Sequence, residues 1–274
     1  MNFFDCFMYF DEDLILDIRL NTLNDYVNKF VIVESKFDHQ GNEKKLNFNL
    51  DNFKKFKDKI IYIPVENMPD GENPWIRENF QRNCIARGLN DSKDDDLIII
   101  SDADEIPNLK NVRDYIKDKR YAVFRQKAFY YKLNMKNVTL PDWYGSRICK
   151  KKYLKSPQWL RNLKFKKRPF WRIDKYRLNS IIENGGWHFC NLKTPNNLVY
   201  KYQNMAETKD DFFAKDGVDG KIDLKYLTVE QIEESIKKGR NLVGKKEYFK
   251  KVEIDNSYPK YILDNLEKYK KWIS

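Results

Sequence analysis

Two carboxylates, Asp102 and Asp104, stand at the end of the run Leu97-Ile-Ile-Ile-Ser-Asp102-Ala-Asp104-Glu105 and are the residues best placed to do chemistry. Four consecutive aliphatic residues make a buried strand, so the acids emerge where that strand stops. In an open α/β sheet, ligands bind beyond the carboxyl ends of the strands. Carboxylates this close repel one another unless they share a cation, and their hard oxygens suit Mn2+ or Mg2+. A divalent ion held there could grip a diphosphate and stabilise its departure. The competing reading is a helix cap near Pro107 with the other acids solvated; the position at a strand end favours chemistry. Of the two histidines, His188 follows Gly185-Gly186-Trp187, where glycines allow close backbone approach, and could complete a metal shell or meet a phosphate. His39 lies in a polar loop, Lys36–Lys45, and receives no assignment.

The elements that must position these groups alternate over the first 125 or so residues. Phe3–Phe10 reads as a strand, and Asp11, Glu12 and Asp13 offer a cap and favourable charge at a helix start. Leu16, Leu20, Leu23 and Val27 then recur at helical spacing. Phe30–Ser35 is a strand covered on both faces, Asn52–Lys59 a short basic helix, and Lys59–Val65 a third strand. Pro74 suits the first turn of a helix to about Arg87, stopped by Gly88. After the strand Leu97–Ser101 come a helix over Asn108–Lys117 and a strand over Tyr121–Tyr131. Strand and helix in alternation imply a parallel sheet with right-handed crossovers. Beyond Leu133 the alternation gives way to a strand-rich basic stretch, with mostly helix from Thr228 to Ser274.

Composition limits the classes. A chain of 274 residues, 41% hydrophobic and 34% charged, can build a core and is neither disordered, collagenous nor a small disulfide scaffold. No apolar run approaches the ~20 residues of a membrane span, and the acidic start is no targeting segment. Four scattered cysteines read as free thiols in a reducing compartment. A soluble, cytoplasmic protein is expected. The net charge of +11 concentrates between Arg147 and Arg177, with thirteen Lys or Arg against one acid, Asp174. Interleaved aromatics there allow a nucleic-acid groove, a lid over a phosphorylated ligand, or a solvated basic face.

Five ordered blocks resemble glycosyltransferase family 17: FFDCFMYFDEDLILDIRL, FVIVES, the run Trp75, Arg77, Glu78, Gln81, Arg82, Asn83, then IIISDADEIPN, and GGWHF. The resemblance spans about Phe3 to Leu192. It implies a GT-A fold (a Rossmann-like, nucleotide-binding mixed sheet flanked by helices) over residues 1–225, with a helical C-terminal extension over 226–274 packed on the same domain. It further implies a UDP-sugar donor, GlcNAc first and glucose or galactose next, a glycan or glycoconjugate acceptor, a divalent metal and inversion at the anomeric carbon. Asp102 and Asp104 match the family's D-x-D and would hold the metal with His188, Asp102 and His188 also reaching the donor. Asp5, Cys6 and Phe7 would seat the uracil, Glu34 the base or ribose, and Arg77, Arg82 and Asn83 the nucleotide. An inverting transfer needs a base for the acceptor hydroxyl; Glu183 is the first candidate, followed by Glu105 and Glu207. The chain starts almost at its first strand, which suggests a minimal catalytic unit of bacterial or viral type. Two readings compete with this one: a nucleic-acid-binding or metal-dependent nucleic-acid-processing protein, and a glycan binder without turnover.

Overall fold

The computed structural model describes the whole chain except Glu72, 166–179, 205–226 and 242–246. Its first half runs β1 (Phe3–Met8), α1 (Asp13–Leu23), β2 (Lys29–Ser35), β3 (Ile60–Val65), α2 (Pro74–Asn83), β4 (Leu97–Asp102), β5 (Glu105–Pro107), α3 (Val112–Ile116), β6 (Tyr121–Phe124) and β7 (Gln126–Tyr130). The second half adds β8 (Met135–Asn137), β9 (Asp142–Trp143), β10 (Arg147–Lys150), α4 (Pro157–Arg161), β11 (Ile181–Ile182), β12 (Gly186–Cys190), α5 (Pro195–Asn204), α6 (Val229–Lys238), β13 (Phe249–Lys251) and α7 (Lys260–Leu263).

Seven strands form one sheet in the order β11-β6-β10-β4-β1-β2-β3. β4, β1, β2 and β3 are mutually parallel, as the strand-helix alternation predicts. Their side chains alternate between two cores: Phe3, Phe7, Phe30, Ile32, Leu97 and Ile99 face α1, while Phe4, Cys6, Val31, Val33, Ile98 and Ile100 face the other layer. β1 lies beside both β2 and β4, so the chain reverses its direction of travel across the sheet there, with Met8 opposite Asp102. That reversal is where an α/β sheet opens a crevice.

The sheet is mixed rather than wholly parallel. β10 inserts antiparallel between β4 and β6. The expected single strand Tyr121–Tyr131 divides at Arg125, whose amide donates to the Ile182 carbonyl and whose carbonyl accepts from Gly185. β6 stays in the large sheet; β7 enters a second one, ordered β13-β8-β7-β12-β5 with β9 on β7. Other expectations are shortened for local reasons. Pro107 ends β5 instead of starting a helix, and Asn111, left-handed at φ 61°, delays α3 to Val112. The helix from Pro74 turns 3₁₀ at Cys84 and ends at Leu89, and the basic helix is a 3₁₀ segment, Leu50–Phe56. The C-terminal region is not all helix: Thr228 and Gln231 form a capping box that starts α6, but β13 then pairs with β8. Tyr258, Ile262 and Tyr269 bury into the core beneath the large sheet. All four thiols are free. No helix among the described residues is long and apolar enough to cross a membrane.

Candidate active site

A cavity of about 550 Å³ opens beyond the carboxyl ends of β1 and β4 and is walled on its far side by the second sheet. Met8, Tyr9, Phe10 and Glu12 line it from the end of β1, Asp102 and Asp104 from β4, and His188 and Cys190 from β12. α2 contributes Gln81 and Arg82, and α5 contributes Lys201 and Tyr202.

The turn carrying the two acids is held from beneath. Arg19 of α1 is wholly buried and grips Asp5 with two hydrogen bonds, Nε to Oδ2 at 2.7 Å and NH2 to Oδ1 at 2.6 Å. Its remaining NH1 donates to the backbone carbonyls of Asp102 (3.0 Å), Ala103 (3.2 Å) and Glu105 (2.6 Å). One guanidinium thus satisfies a buried carboxylate and three carbonyls that a tight turn would otherwise leave unpaired.

Asp102 meets two arginines, Arg82 at 3.1 Å and Arg161 at 2.5 Å. Burial alone would raise its carboxyl, but Arg161 and Arg82 outweigh that and hold it below the usual carboxylate range. Glu105, fully buried, accepts from Arg161 on both oxygens (2.8 Å each), from Trp143 Nε1 (2.6 Å), from Ser146 Oγ (3.2 Å) and from the Asp102 amide (3.2 Å). Gly145 is obligatory beside it, because a Cβ there would lie 1.8 Å from Glu105 Oε1. Arg161 arrives on α4, which Ser156 caps and Asn83 docks by accepting from the Gln158 amide at 3.0 Å.

Asp104 has different neighbours. Its carbonyl accepts from the Phe189 amide at 2.9 Å, and its Oδ1 lies 3.5 Å from His188 Nε2. Burial would raise this carboxyl, but the His188 charge prevails and holds it well below the usual range. Burial would likewise lower the imidazole, and Asp104 instead keeps it well above its ordinary value. The Trp143 ring stacks on His188 at 4.5 Å. Asp104, His188 and Cys190 each offer a ligand atom, all within 4.8 Å of one another. Oxygen, nitrogen and sulfur donors converging on a cavity can hold a divalent cation.

Of the residues expected at the site, Arg82, Asp102, Asp104 and His188 line the cavity together. Asp5, Cys6 and Phe7 do not: Asp5 is spent on Arg19, while Cys6 and Phe7 fill the two cores. Glu34, also buried, anchors the following loop by accepting from Lys44 Nζ, the Asn47 and Phe48 amides and Tyr62 OH. Arg77 donates to the carbonyls of His39 (2.8 Å) and Gly71 (2.5 Å), tying two loops together. Glu183 is exposed and paired with Arg125 at 2.8 Å, and neither it nor Glu105 lines the cavity. Glu207 and the basic segment beyond Phe165 lie outside the described residues. The Gly185-Gly186 pair serves a strand rather than a ligand, since a Cβ on Gly186 would stand 2.1 Å from the Ile106 carbonyl oxygen.

Several site residues were not singled out from the sequence: Arg19, Trp143, Arg161, Cys190, Lys201 and His39, whose Nε2 lies 3.0 Å from Gln81 Oε1. Cys190 alone carried a readable signal, two places after His188 and so on the same face of a strand.

The family model described as Glycosyltransferase family 17 matches residues 1–141, just over half of the chain. The chain belongs to this family. Curated relatives include the beta-1,4-mannosyl-glycoprotein 4-beta-N-acetylglucosaminyltransferases of Rattus norvegicus, 26% identical over 287 residues, and Homo sapiens, 26% identical over 286. Each match covers 93% of this chain, and 51% and 52% of the relative respectively. This family 17 chain therefore spans about half the length of the curated relatives it matches. Among solved structures, a 2-C-methyl-D-erythritol 4-phosphate cytidylyltransferase from Francisella tularensis aligns over 49% of this chain and 61% of its own, at 15% identity and a TM-score of 0.28. Nothing is drawn from so slight a likeness.

Proposed function

We propose that this family 17 chain is a metal-dependent, inverting glycosyltransferase of the GT-A type. It moves a sugar, GlcNAc in first place, from a UDP-sugar to a hydroxyl of a glycan or glycoconjugate. The observation that carries the reading is the placement of Asp102 and Asp104, at the end of β4, in a cavity at the point where the sheet order reverses. The names of the curated relatives favour GlcNAc over glucose or galactose. Residues 1–225 are read as the catalytic unit and 226–274 as an extension packed on it.

Asp104 and His188 fit a divalent ion, Mn2+ or Mg2+: they approach each other at 3.5 Å, and both face the cavity. When bound, such an ion would neutralise charge developing on the departing diphosphate. Asp102, fixed by Arg82 and Arg161, presents its carboxylate to the donor ribose. Arg82 adds positive charge on the phosphate side, and Lys201 is a further cationic residue lining the same cavity. Trp143, 40% exposed although one face covers His188, offers an apolar platform for a sugar ring. The group that takes the acceptor's proton is to be sought among the lining carboxylates Glu12, Asp38, Glu78 and Glu247 rather than at Glu105, whose oxygens are already saturated.

A screen of UDP-sugars with Mn2+, reading UDP release beside an Asp104→Ala control, tests this reading. Release from at least one donor, nearly lost in the variant, is the expected result. Equal rates in the two proteins would remove the metal site. Steeply salt-dependent DNA binding without UDP release would favour the nucleic-acid alternative.

A further inference from the structure

We infer that Cys190 is a third protein ligand of the metal held by Asp104 and His188, and that its sulfur turns the site away from Mg2+ towards thiophilic transition ions. The inference rests on the metal reading above and adds to it both a ligand and a selectivity.

The backbone dictates the arrangement. Alternate residues of a strand share a face, so His188 and Cys190 of β12 project together while Phe189 between them turns into the core against Phe129. β12 runs antiparallel to β5 with His188 opposite Glu105, and the Phe189 amide bonds the Asp104 carbonyl at 2.9 Å. The end of β4 is thereby laid against the face that carries the imidazole and the thiol. The three donor atoms lie within 4.8 Å of one another, and all three residues line the cavity. Donors around one tetrahedral ion at ~2.0–2.3 Å lie within roughly 4 Å of each other, so a small convergence completes the set. Because all three residues line the cavity, donor oxygens in it would supply the remaining ligands. Trp143 stacked on His188 fixes the imidazole plane.

Position separates this cysteine from the rest. Cys6, Cys84 and Cys149 are buried in the apolar layer on one side of the large sheet, whereas Cys190 is half-buried at the cavity wall. Mg2+ takes oxygen ligands in octahedral geometry and gains little from a thiolate. Mn2+, Co2+ and Zn2+ accept a mixed oxygen, nitrogen and sulfur set, with affinity rising along that order.

The experiment uses the full chain, stripped of metal and titrated with Co2+ under reducing, anaerobic conditions. A sulfur-to-cobalt charge-transfer band in the near ultraviolet is expected to saturate with a single ion and to persist in excess Mg2+. Cys190→Ser should lose the band and bind Mn2+ at least about tenfold more weakly, the smallest loss expected even for an outer-shell partner. Electron paramagnetic resonance of free Mn2+ reads that affinity. A measurement on the unaltered protein does not depend on how the variant folds: Mn2+ should protect Cys190 from alkylation, read by peptide mass spectrometry. Mn2+ binding that Asp104→Asn abolishes, without a cobalt band and without protection of Cys190, overturns the inference and leaves the metal reading standing. A band that survives in Cys190→Ser overturns it too. Failure of the unaltered chain to bind either ion defeats both readings.

Discussion

The turn after β4 separates two carboxylate environments a few residues apart. On one side Asp102 and Glu105 face Arg82 and Arg161, and every side-chain oxygen of the two acids is engaged. On the other side Asp104 faces His188 and Cys190 across the cavity wall. A guanidinium stays charged at any working pH and donates along a fixed fork, so the first cluster holds shape. An imidazole can give up its proton to a competing cation, so the second cluster can exchange its partner for a metal. Adjacent acids in one motif therefore differ in setting: Asp102 is held by two arginines, and Asp104 stands beside donors that a cation could share.

Substitutions on the two sides should fail in opposite ways. Asp104→Asn keeps the shape of the side chain but removes its charge. Sugar transfer should fall by about three orders of magnitude, the scale of losing one preorganised electrostatic group. Metal-free stability in urea at neutral pH should lose the Asp104–His188 charge pair, but less than the about 3–5 kcal/mol of stranding a buried permanent charge, because His188 can release its proton. A parallel collapse of stability would mean that Asp104 belongs with the architectural side. Arg19→Met attacks the foundation: Asp5 is left buried without its partner and three carbonyls lose a donor. The expected cost is about 3–5 kcal/mol of unfolding free energy, because an uncompensated buried charge remains. Arg161→Met should cost about 3 kcal/mol, since Trp143 and Ser146 still bond the stranded Glu105. Adding Glu105→Gln should recover more than half of that loss, a coupling that a double-mutant cycle measures. Without recovery, the cluster is not governed by the Arg161–Glu105 charge pair.

What could be read in advance follows the range of the forces involved. Local pattern placed β1, β2 and β4, because a strand covered on both faces writes itself as a run of apolar residues, and β3, a half-buried edge strand, by its β-branched run. Those strands in turn placed Asp102 and Asp104 at a sheet end. The break at Arg125 escaped notice: Tyr121–Tyr131 is apolar enough for one long strand, and the pairings that divide it come from Ile182 and Gly185, far away in sequence. Asp5 illustrates the same limit. The family resemblance implied a nucleotide contact there, but a carboxylate on an inward face takes the nearest buried cation, here Arg19 from the following helix. Arg161 and Trp143 were invisible as site residues because only tertiary packing brings α4 and β9 to Glu105. The glycines before His188 do permit close approach, but what approaches is β5.

The two histidines offer the gentlest probe, because they sit in opposite environments. Burial lowers His39, which bonds Gln81, whereas Asp104 raises His188 against the pull of burial. As pH falls below the unfolded imidazole value of about 6.5, the unfolded chain binds a proton before folded His39 does, so His39 makes the fold less stable in mild acid. His188 works in the other direction: its contribution is complete below that same value and is lost as pH rises towards its raised folded pKa. In chelator, urea unfolding of His39→Gln should show a shallower loss of stability between neutral pH and mild acid, with the alkaline limb unchanged. His188→Gln should flatten the alkaline limb instead. Adding Mn2+ should reproduce that flattening in the unaltered protein, because a metal-bound imidazole no longer carries the proton whose loss is being measured. If Mn2+ leaves the alkaline limb as steep as in chelator, the ion does not displace the His188 proton and the metal site has been placed on the wrong histidine.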